Sequence, residues 1–434
     1  MIKNQGNFEK AKNELKNDLN NAVAHIYEKK NKINGPLSNV VITLKDLYAT
    51  DDAPTQASSK ILEGFEPKYN AEIVNKLLNA GANIVGKMHL DELALGGTGM
   101  YSSFGKINNP IDSKRMPGGS SAGSVATMTK NISIAIGSDT GDSIRLPASY
   151  CGLVGFKPSY GAVSRFGMYP FASSLDVVGW FSHNVNDAIE VSKILYGFDK
   201  KDFSSTDVEK PVLESLKPQK IIFLNMKNML SDNVSQEYDK LKSQIKSDKI
   251  EIITIEPNIE LFDLFGIVYS IISFSESSSN NSNLSGIPFG NRIDGKNWEE
   301  IIIKTRTNGF GRMVQKRFAL GSYFLLPENK DLLLGKAQKI RRLIKNYFDD
   351  IFQDSILVYP TAGIAPLWTE SIKENWYKYF LTYSNFIGNP SISIPWIKDE
   401  SMPVNLSIDG KIYDDKKLLS YSLYIEKLLG DYNE

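Results

Sequence analysis

The sequence predicts a large α/β fold, a mixed twisted β-sheet covered by helices on both faces. Three observations carry that reading. Short apolar runs bounded by turn residues alternate with helix-length segments that bear one apolar face, the pattern of strands crossed over by helices. The densest glycine- and serine-rich region, residues 93–167, contains a strand, a turn and a helix in succession, which puts side chains and backbone N–H groups at the carboxyl edge of a sheet. The 434 residues, 41% of them hydrophobic and 23% charged, suit a soluble protein with a sizeable core and exclude a fibrous or wholly disordered chain.

Residues 7–33 are polar and lysine-rich, with Leu15, Leu19, Val23 and Ile26 at helical spacing. The expectation is a surface helix docked by one apolar stripe, so that 1–34 forms an N-terminal helical segment on a single domain, 35–434. Gly35-Pro36 ends it. VVITL (40–44) reads as a buried strand that delivers Lys45 and Asp46 at its carboxyl end. Asn70 is placed to cap a helix running to Ala80, and NIVGKM supplies the next strand. SSAGSVATMTK reads as a serine-capped helix and ISIAIGSD as a buried strand running into the turn GSDTGDS. KIIFLNM, a charged helix over 234–246 and EIITIE continue the alternation; SILVYPTAG, PSISIPW and PVNLSI are later strands before a closing helix rich in leucine and tyrosine. IELFDLFGIVYSIISF carries Glu260 and Asp263 and falls short of the roughly 18 residues of a membrane span, so it reads as a core helix. No repeat and no long linker interrupts this order.

Bulk charge narrows the function. Lysine plus arginine equals aspartate plus glutamate at 50 each, which gives no basis for nonspecific attraction to nucleic acid or acidic membrane. The lone Cys151 cannot form an internal disulfide, no Cys/His set has zinc spacing, and the N-terminus lacks the apolar core of a secretion signal; a cytoplasmic protein is expected.

Three chemistries compete for the glycine and serine segments. PGGSSAGS could offer a helix N-terminus to phosphate, but the Lys-Ser/Thr ending of a nucleotide loop is missing. Gly119-Ser120-Ser121-Ala122-Gly123 matches the G-x-S-x-G elbow with Ser121 as nucleophile. It lacks the strand that should precede it, and a later base could only be His183. The third uses lysine. With only three histidines in the chain, a neutral Lys45 at a desolvated sheet edge could activate a hydroxyl, provided burial lowers its pKa from about 10.4. Read alone, Lys45 is a solvated strand-end lysine, Ser120 a helix N-cap, Arg317 a surface charge, Cys151 a small buried hydrophobe and His89 a polar junction residue.

These residues do not stand alone. GPLSNVVITLKDL, PGGSSAGSVA, GSDTGDSIRLPASYCGLVGFKPSYGAVSRFG and SSLDVVGWF resemble the amidase signature family, and the likeness extends over nearly all of the chain after about residue 35. ESSSNNSNLSGIPFG, GFGRMVQKRFALGSY and NPSISIP are similar to the A subunits of its tRNA-dependent amidotransferases. The resemblance implies Ser143 as the acyl-ester nucleophile, Ser120, in a cis peptide, as proton relay, and Lys45 as base. It implies an oxyanion hole from the backbone of Thr140, Gly141, Asp142 and Ser143, and Arg317 as the partner of a glutamine α-carboxylate. No cofactor or metal is expected in this chain. ATP and magnesium fall to a B subunit, and B and C subunits, misacylated tRNA met through B, and glutamine are the expected partners. The implied activity is glutamine hydrolysis that supplies ammonia to Glu-tRNA(Gln) or Asp-tRNA(Asn). The alternatives are a free-standing small-amide hydrolase and a catalytically impaired scaffold subunit.

The chain also departs from the family pattern. Asp142 stands where glycine is usual, and is expected to restrict the turn unless it faces away or pairs with Arg145. Phe289 replaces a common tyrosine. The aspartate expected before Asn385 for the substrate's amino group is absent; Lys378 and Tyr379 lie there instead.

Overall fold

The apolar runs assemble into one eleven-stranded sheet, seen in a computed structural model that describes residues 1–226, 228–371 and 375–430. The strands are β1 Val23–Ile26, β2 Val41–Lys45, β3 Asn83–Met88, β4 Ile134–Asp139, β5 Val154–Lys157, β6 Val177–Ser182, β7 Lys220–Leu224, β8 Glu251–Ile255, β9 Ile356–Pro360, β10 Ser391–Asp399 and β11 Met402–Asp409. Their order is β1-β3-β2-β4-β6-β5-β10-β11-β9-β7-β8. The sheet is mixed, as expected: β3-β2-β4 and β9-β7-β8 are parallel, and the pairs between and outside them are antiparallel.

Both faces are covered. In β2, Ile42 and Leu44 join the main core while Val41, one residue before Ile42, packs with Phe8, Ala11 and Leu15. In β4, Ile134 and Ile136 face the main core and Ala135 faces Val125, Ile144 and Ala148. Alternate residues point to opposite faces of a strand, so unbroken apolar runs are the signature of two-sided burial.

The N-terminal segment departs from its expected form. The first helix, Phe8–Lys16, ends more than four turns before the expected end at residue 33. Asp18 accepts hydrogen bonds from the backbone N–H groups of Asn20 (3.0 Å) and Ala22 (2.6 Å), a local side-chain bond that competes with continued helix. Leu19 is consequently exposed, and Val23 and Ile26, read as helical, belong to the edge strand β1 with Ile26 opposite Gly86. Asn70 does not cap the helix Glu72–Asn79; its side chain instead accepts the N–H of Asp51 at 3.0 Å. The long apolar segment forms two helices, Ile259–Phe262 and the buried Phe265–Asn280.

One consequence matters for chemistry. Because β2 and β4 run parallel with Leu44 opposite Ile136, their carboxyl ends reach the same sheet edge. Lys45 and the turn that follows Asp139 are therefore neighbours, although about a hundred residues apart in sequence.

Candidate active site

Lys45 ends β2 with no exposed surface. Its Nζ lies 2.8 Å from Ser120 Oγ, 3.0 Å from Ser121 Oγ and 2.9 Å from Ser138 Oγ, and it forms no ion pair among the described residues. Burial lowers its pKa to about 7, against the through-space pull of Asp91, Asp139 and Asp176. Three hydroxyls suit a neutral amine, which has two N–H donors and one lone pair. Ser121 gives its own proton to the Ser138 carbonyl at 3.1 Å, so its oxygen is left to accept from Lys45.

The next link is Ser120, whose Oγ is 3.3 Å from Ser143 Oγ. The Gly119–Ser120 peptide is cis. Asp91 fixes this loop: its carboxylate accepts the N–H groups of Thr98, Gly99 and Tyr101, and its own N–H donates to the Ser120 carbonyl at 3.2 Å. A Cβ on residue 119 would stand 2.2 Å from Asp91 Oδ2, so only glycine fits there.

The turn 140–143 joins β4 to the helix Arg145–Cys151. Arg145 is fully buried and pairs with Asp139 (2.9 Å), not with Asp142. It also donates to the carbonyls of Gly141 (2.8 Å) and Leu381 (2.8 Å) and to Asn385 Oδ1 (2.7 Å). Burial would raise the Asp139 carboxyl, and the Arg145 guanidinium more than offsets it, leaving it below the usual carboxylate range. The Gly141 carbonyl is thus turned to Arg145, and the Asp142 carbonyl accepts from Leu146 N–H at 2.9 Å. In a trans peptide the N–H points opposite the carbonyl, so the N–H groups of Asp142 and Ser143 face away from the helix. None of the N–H groups from Thr140 to Ser143 has a hydrogen-bond partner among the described residues.

This turn needs no unusual backbone. Neither Gly141 nor Asp142 has a positive φ, so the expected penalty for aspartate at 142 does not arise. The Asp142 side chain is half-buried and pairs with nothing among the described residues. Thr140 Oγ1 donates to Asp176 at 2.7 Å, and the ring of Tyr269 lies against Gly141, about 3.0 Å from where a Cβ would stand. Arg317, on the helix Arg312–Phe324, sits over the Phe274 ring at 5.0 Å; among the described residues it makes no ion pair and its buried Nε has no hydrogen-bond partner.

A buried strand-end lysine, two serine hydroxyls in line with it and a cluster of N–H groups without partners among the described residues are groups that can support acyl transfer. The amidase family matches residues 9–419. The chain belongs to the amidase family. The amidase is 38% identical over 419 residues to the glutamyl-tRNA(Gln) amidotransferase A subunit of Mycoplasma pneumoniae, covering 92% of this chain and 88% of that one. Its likeness to the corresponding A subunit of Methanosarcina mazei is 36% over 406 residues, 91% of this chain and 85% of the relative. The crystal structure of the Thermotoga maritima glutamyl-tRNA(Gln) amidotransferase A subunit superposes with a TM-score of 0.81 at 29% identity, covering 98% of this chain and 91% of that one.

Other candidates fall outside this amidase's site. His183 Nε2 faces the carbonyls of Thr129 and Ile132, which leaves the G-x-S-x-G elbow without a base; Ser121 serves Lys45 instead. Every residue of the helix Ala122–Ala126 is buried. His89 bonds to Ser58 at 3.0 Å and stacks on Phe104; burial lowers its pKa to about 4. Burial pushes the Cys151 thiol up, and it packs in the core. Phe289 is exposed, edge-on to Phe65. Among the described residues no cluster of three His, Cys, Asp or Glu could hold a metal, and no helix is long and apolar enough to cross a membrane.

Sequence reading missed Ser138, Asp91, Asp176 and Tyr269. The two-residue period of ISIAIGSD gives a signal for the first, since Ile134, Ile136 and Ser138 share one face of β4. The others act through contacts distant in sequence and leave no local pattern.

Proposed function

We propose that this chain is the glutaminase subunit of a tRNA-dependent amidotransferase. The observation that carries the reading is the buried line Lys45 Nζ, Ser120 Oγ, Ser143 Oγ, ending beside four backbone N–H groups that have no partner among the described residues. Its similarity to the glutamyl-tRNA(Gln) amidotransferase A subunits directs it to glutamine.

Ser143 Oγ attacks the side-chain amide carbon of glutamine. Its proton moves to Ser120, whose own proton passes to neutral Lys45. The carbonyl oxygen, now negative, takes the N–H groups of the 140–143 turn, which are already oriented and need no rearrangement. The same proton returns through Ser120 to the departing nitrogen, and ammonia leaves. Water then repeats the sequence on the acyl-enzyme and releases glutamate. Arg317 receives the α-carboxylate, for which a planar guanidinium offers paired donors.

The ammonia serves Glu-tRNA(Gln), or Asp-tRNA(Asn), on a partner. We assign B and C subunits as those partners, with tRNA, ATP and magnesium bound by B, no cofactor in this chain, and a cytoplasmic setting. The experiment is ammonia release from glutamine by the chain purified with its B and C subunits, beside Ser143→Ala. A loss of about 10³-fold or more in the variant is expected. Equal activity of the two would overturn the nucleophile, and equal rates on simple amides without the partners would favour a free-standing amidase.

A further inference from the structure

Residues 140, 141 and 142 of the turn before Ser143 are held in different ways. The Gly141 carbonyl is fixed by Arg145 and the Asp142 carbonyl by Leu146 N–H. Thr140 has neither its N–H nor its carbonyl bonded to any described residue. Its one polar tie among them is its side chain: Oγ1 donates to Asp176 Oδ1 at 2.7 Å, and both residues are buried.

Asp176 is a fixed point. Its Oδ2 accepts the N–H groups of Phe171 (2.9 Å) and Ala172 (3.0 Å), and its own N–H donates to the Ala172 carbonyl at 2.9 Å. The loop 171–176 is in turn bound to two long helices, Phe265–Asn280 and Lys336–Ile351. Ser174 N–H donates to Glu276 at 2.8 Å, Asn280 Nδ2 to the Phe171 carbonyl at 3.2 Å, and Arg341 to Ser174 Oγ at 2.9 Å. The same loop supports residue 141, because Phe171 stands edge-on to Tyr269, whose ring lies against Gly141.

No cation pairs with the Asp176 carboxylate among the described residues, so its burial is justified by the N–H and O–H groups it collects. An ionised carboxylate only accepts, which obliges Thr140 to donate and fixes the Cβ of residue 140. A fixed Cβ restrains the two peptide planes that meet there, and these carry the N–H groups of Thr140 and Gly141. Donors to an oxyanion act at full strength only when they need no reorientation as the charge develops.

We infer that Asp176 is a positioning residue for the reaction: through the Thr140 hydroxyl it holds the N–H groups of residues 140 and 141 in place for the substrate's carbonyl oxygen as that oxygen becomes negative. This rests on Ser143 as the nucleophile and holds for whichever amide the site takes. Asp176 touches neither substrate nor the Lys45 relay, so its effect belongs to the rate of the chemical step and not to substrate affinity.

The test measures ammonia release from glutamine and from propionamide by the complex with its partner subunits. Thr140→Val keeps the shape of the side chain, changes no charge and removes the hydroxyl. On each substrate that the native complex cleaves, it should lower kcat by about 10- to 100-fold and move KM by less than about threefold. Thr140→Ser, which restores the hydroxyl, should return to within about threefold of native. Asp176→Asn added to Thr140→Val should lower the rate by less than a further threefold or so, since the two residues act as one unit. Calorimetric binding of glutamine to Ser143→Ala should be the same with and without Thr140→Val. A lowered unfolding midpoint with the rate per folded molecule kept, a loss confined to KM, or no recovery in Thr140→Ser would overturn the role of Asp176 and leave the glutaminase reading intact. Native activity on propionamide with none on glutamine would remove the glutaminase reading alone, because Thr140→Val is still read on the plain amide. Activity of the native complex on neither would remove both.

Discussion

Lys45 ends β2, and Lys87 lies one residue from the end of the adjacent β3, opposite Leu44; both side chains are fully buried. Their surroundings differ in one respect. Lys87 Nζ pairs with the Asp46 carboxylate at 3.1 Å and donates to Thr55 Oγ1 and the Pro54 carbonyl. Lys45 meets three serine hydroxyls. A carboxylate pins a positive charge in place, whereas a hydroxyl can accept a proton from one side and give one to the other. A third buried lysine sharpens the point. Lys157 is also lowered to about 7 by burial, yet its Nζ bonds to the carbonyls of Asn389 and Pro158, which have no proton to pass. A depressed pKa therefore does not mark a base; the chemistry of the partners does.

The sharpest way to break this comparison is to exchange the two lysines' fates. Lys45→Met should leave a folded protein whose ammonia release from glutamine falls by about 10³- to 10⁴-fold. Residual activity within about tenfold of native would show that the base lies elsewhere. Lys87→Met should act on stability, because it leaves Asp46 buried and unpaired: a loss of about 3–5 kcal/mol in denaturant unfolding, with the rate per folded molecule nearly kept. A large rate loss without destabilisation would place Lys87 in the proton path.

Acidity separates them further. The base must be neutral, and protonation of Lys45 below about 7 removes it, so kcat/KM should fall about tenfold per pH unit on the acid side and level off above 7. A pH-independent profile from 5 to 8 would contradict a lysine titrating there. The smallest effect is expected from Ser121→Ala, which removes one acceptor from Lys45 and leaves the relay: a loss of about 2- to 12-fold, with the acid limb of the pH profile shifted. An unmoved limb would mean that Ser121 does not tune the lysine.

Much of this arrangement was legible from residues close together in the chain. VVITL announced a buried strand ending at Lys45, and ISIAIGSD another ending in the turn that holds Ser143, because apolar runs bounded by glycine and proline report strand ends. Ser120 could be placed through family likeness, since alone it has only the look of a helix cap. The N-terminal stripe misled because spacing of three and four residues fits a helix, while the Asp18 turn that stops it and the open edge of β3 that recruits Val23–Ile26 are, respectively, a side-chain bond and a tertiary opportunity. Asp142 was read as a constraint on the turn, and in the structure its φ is not positive and its side chain has no hydrogen-bond or ion-pair partner among the described residues.

The sequence by itself determined most of the strands, the polar turns between them and the residues that those turns carry, because these follow from hydrophobic period and local backbone chemistry. Only the tertiary structure decided which lysine meets hydroxyls and which a carboxylate, and which carboxylate Arg145 takes. Protonation and pairing depend on what surrounds a group in space. For Lys45 those surroundings come from β4 and the loop at 120–121, brought to it by the parallel pairing of strands far apart in the chain.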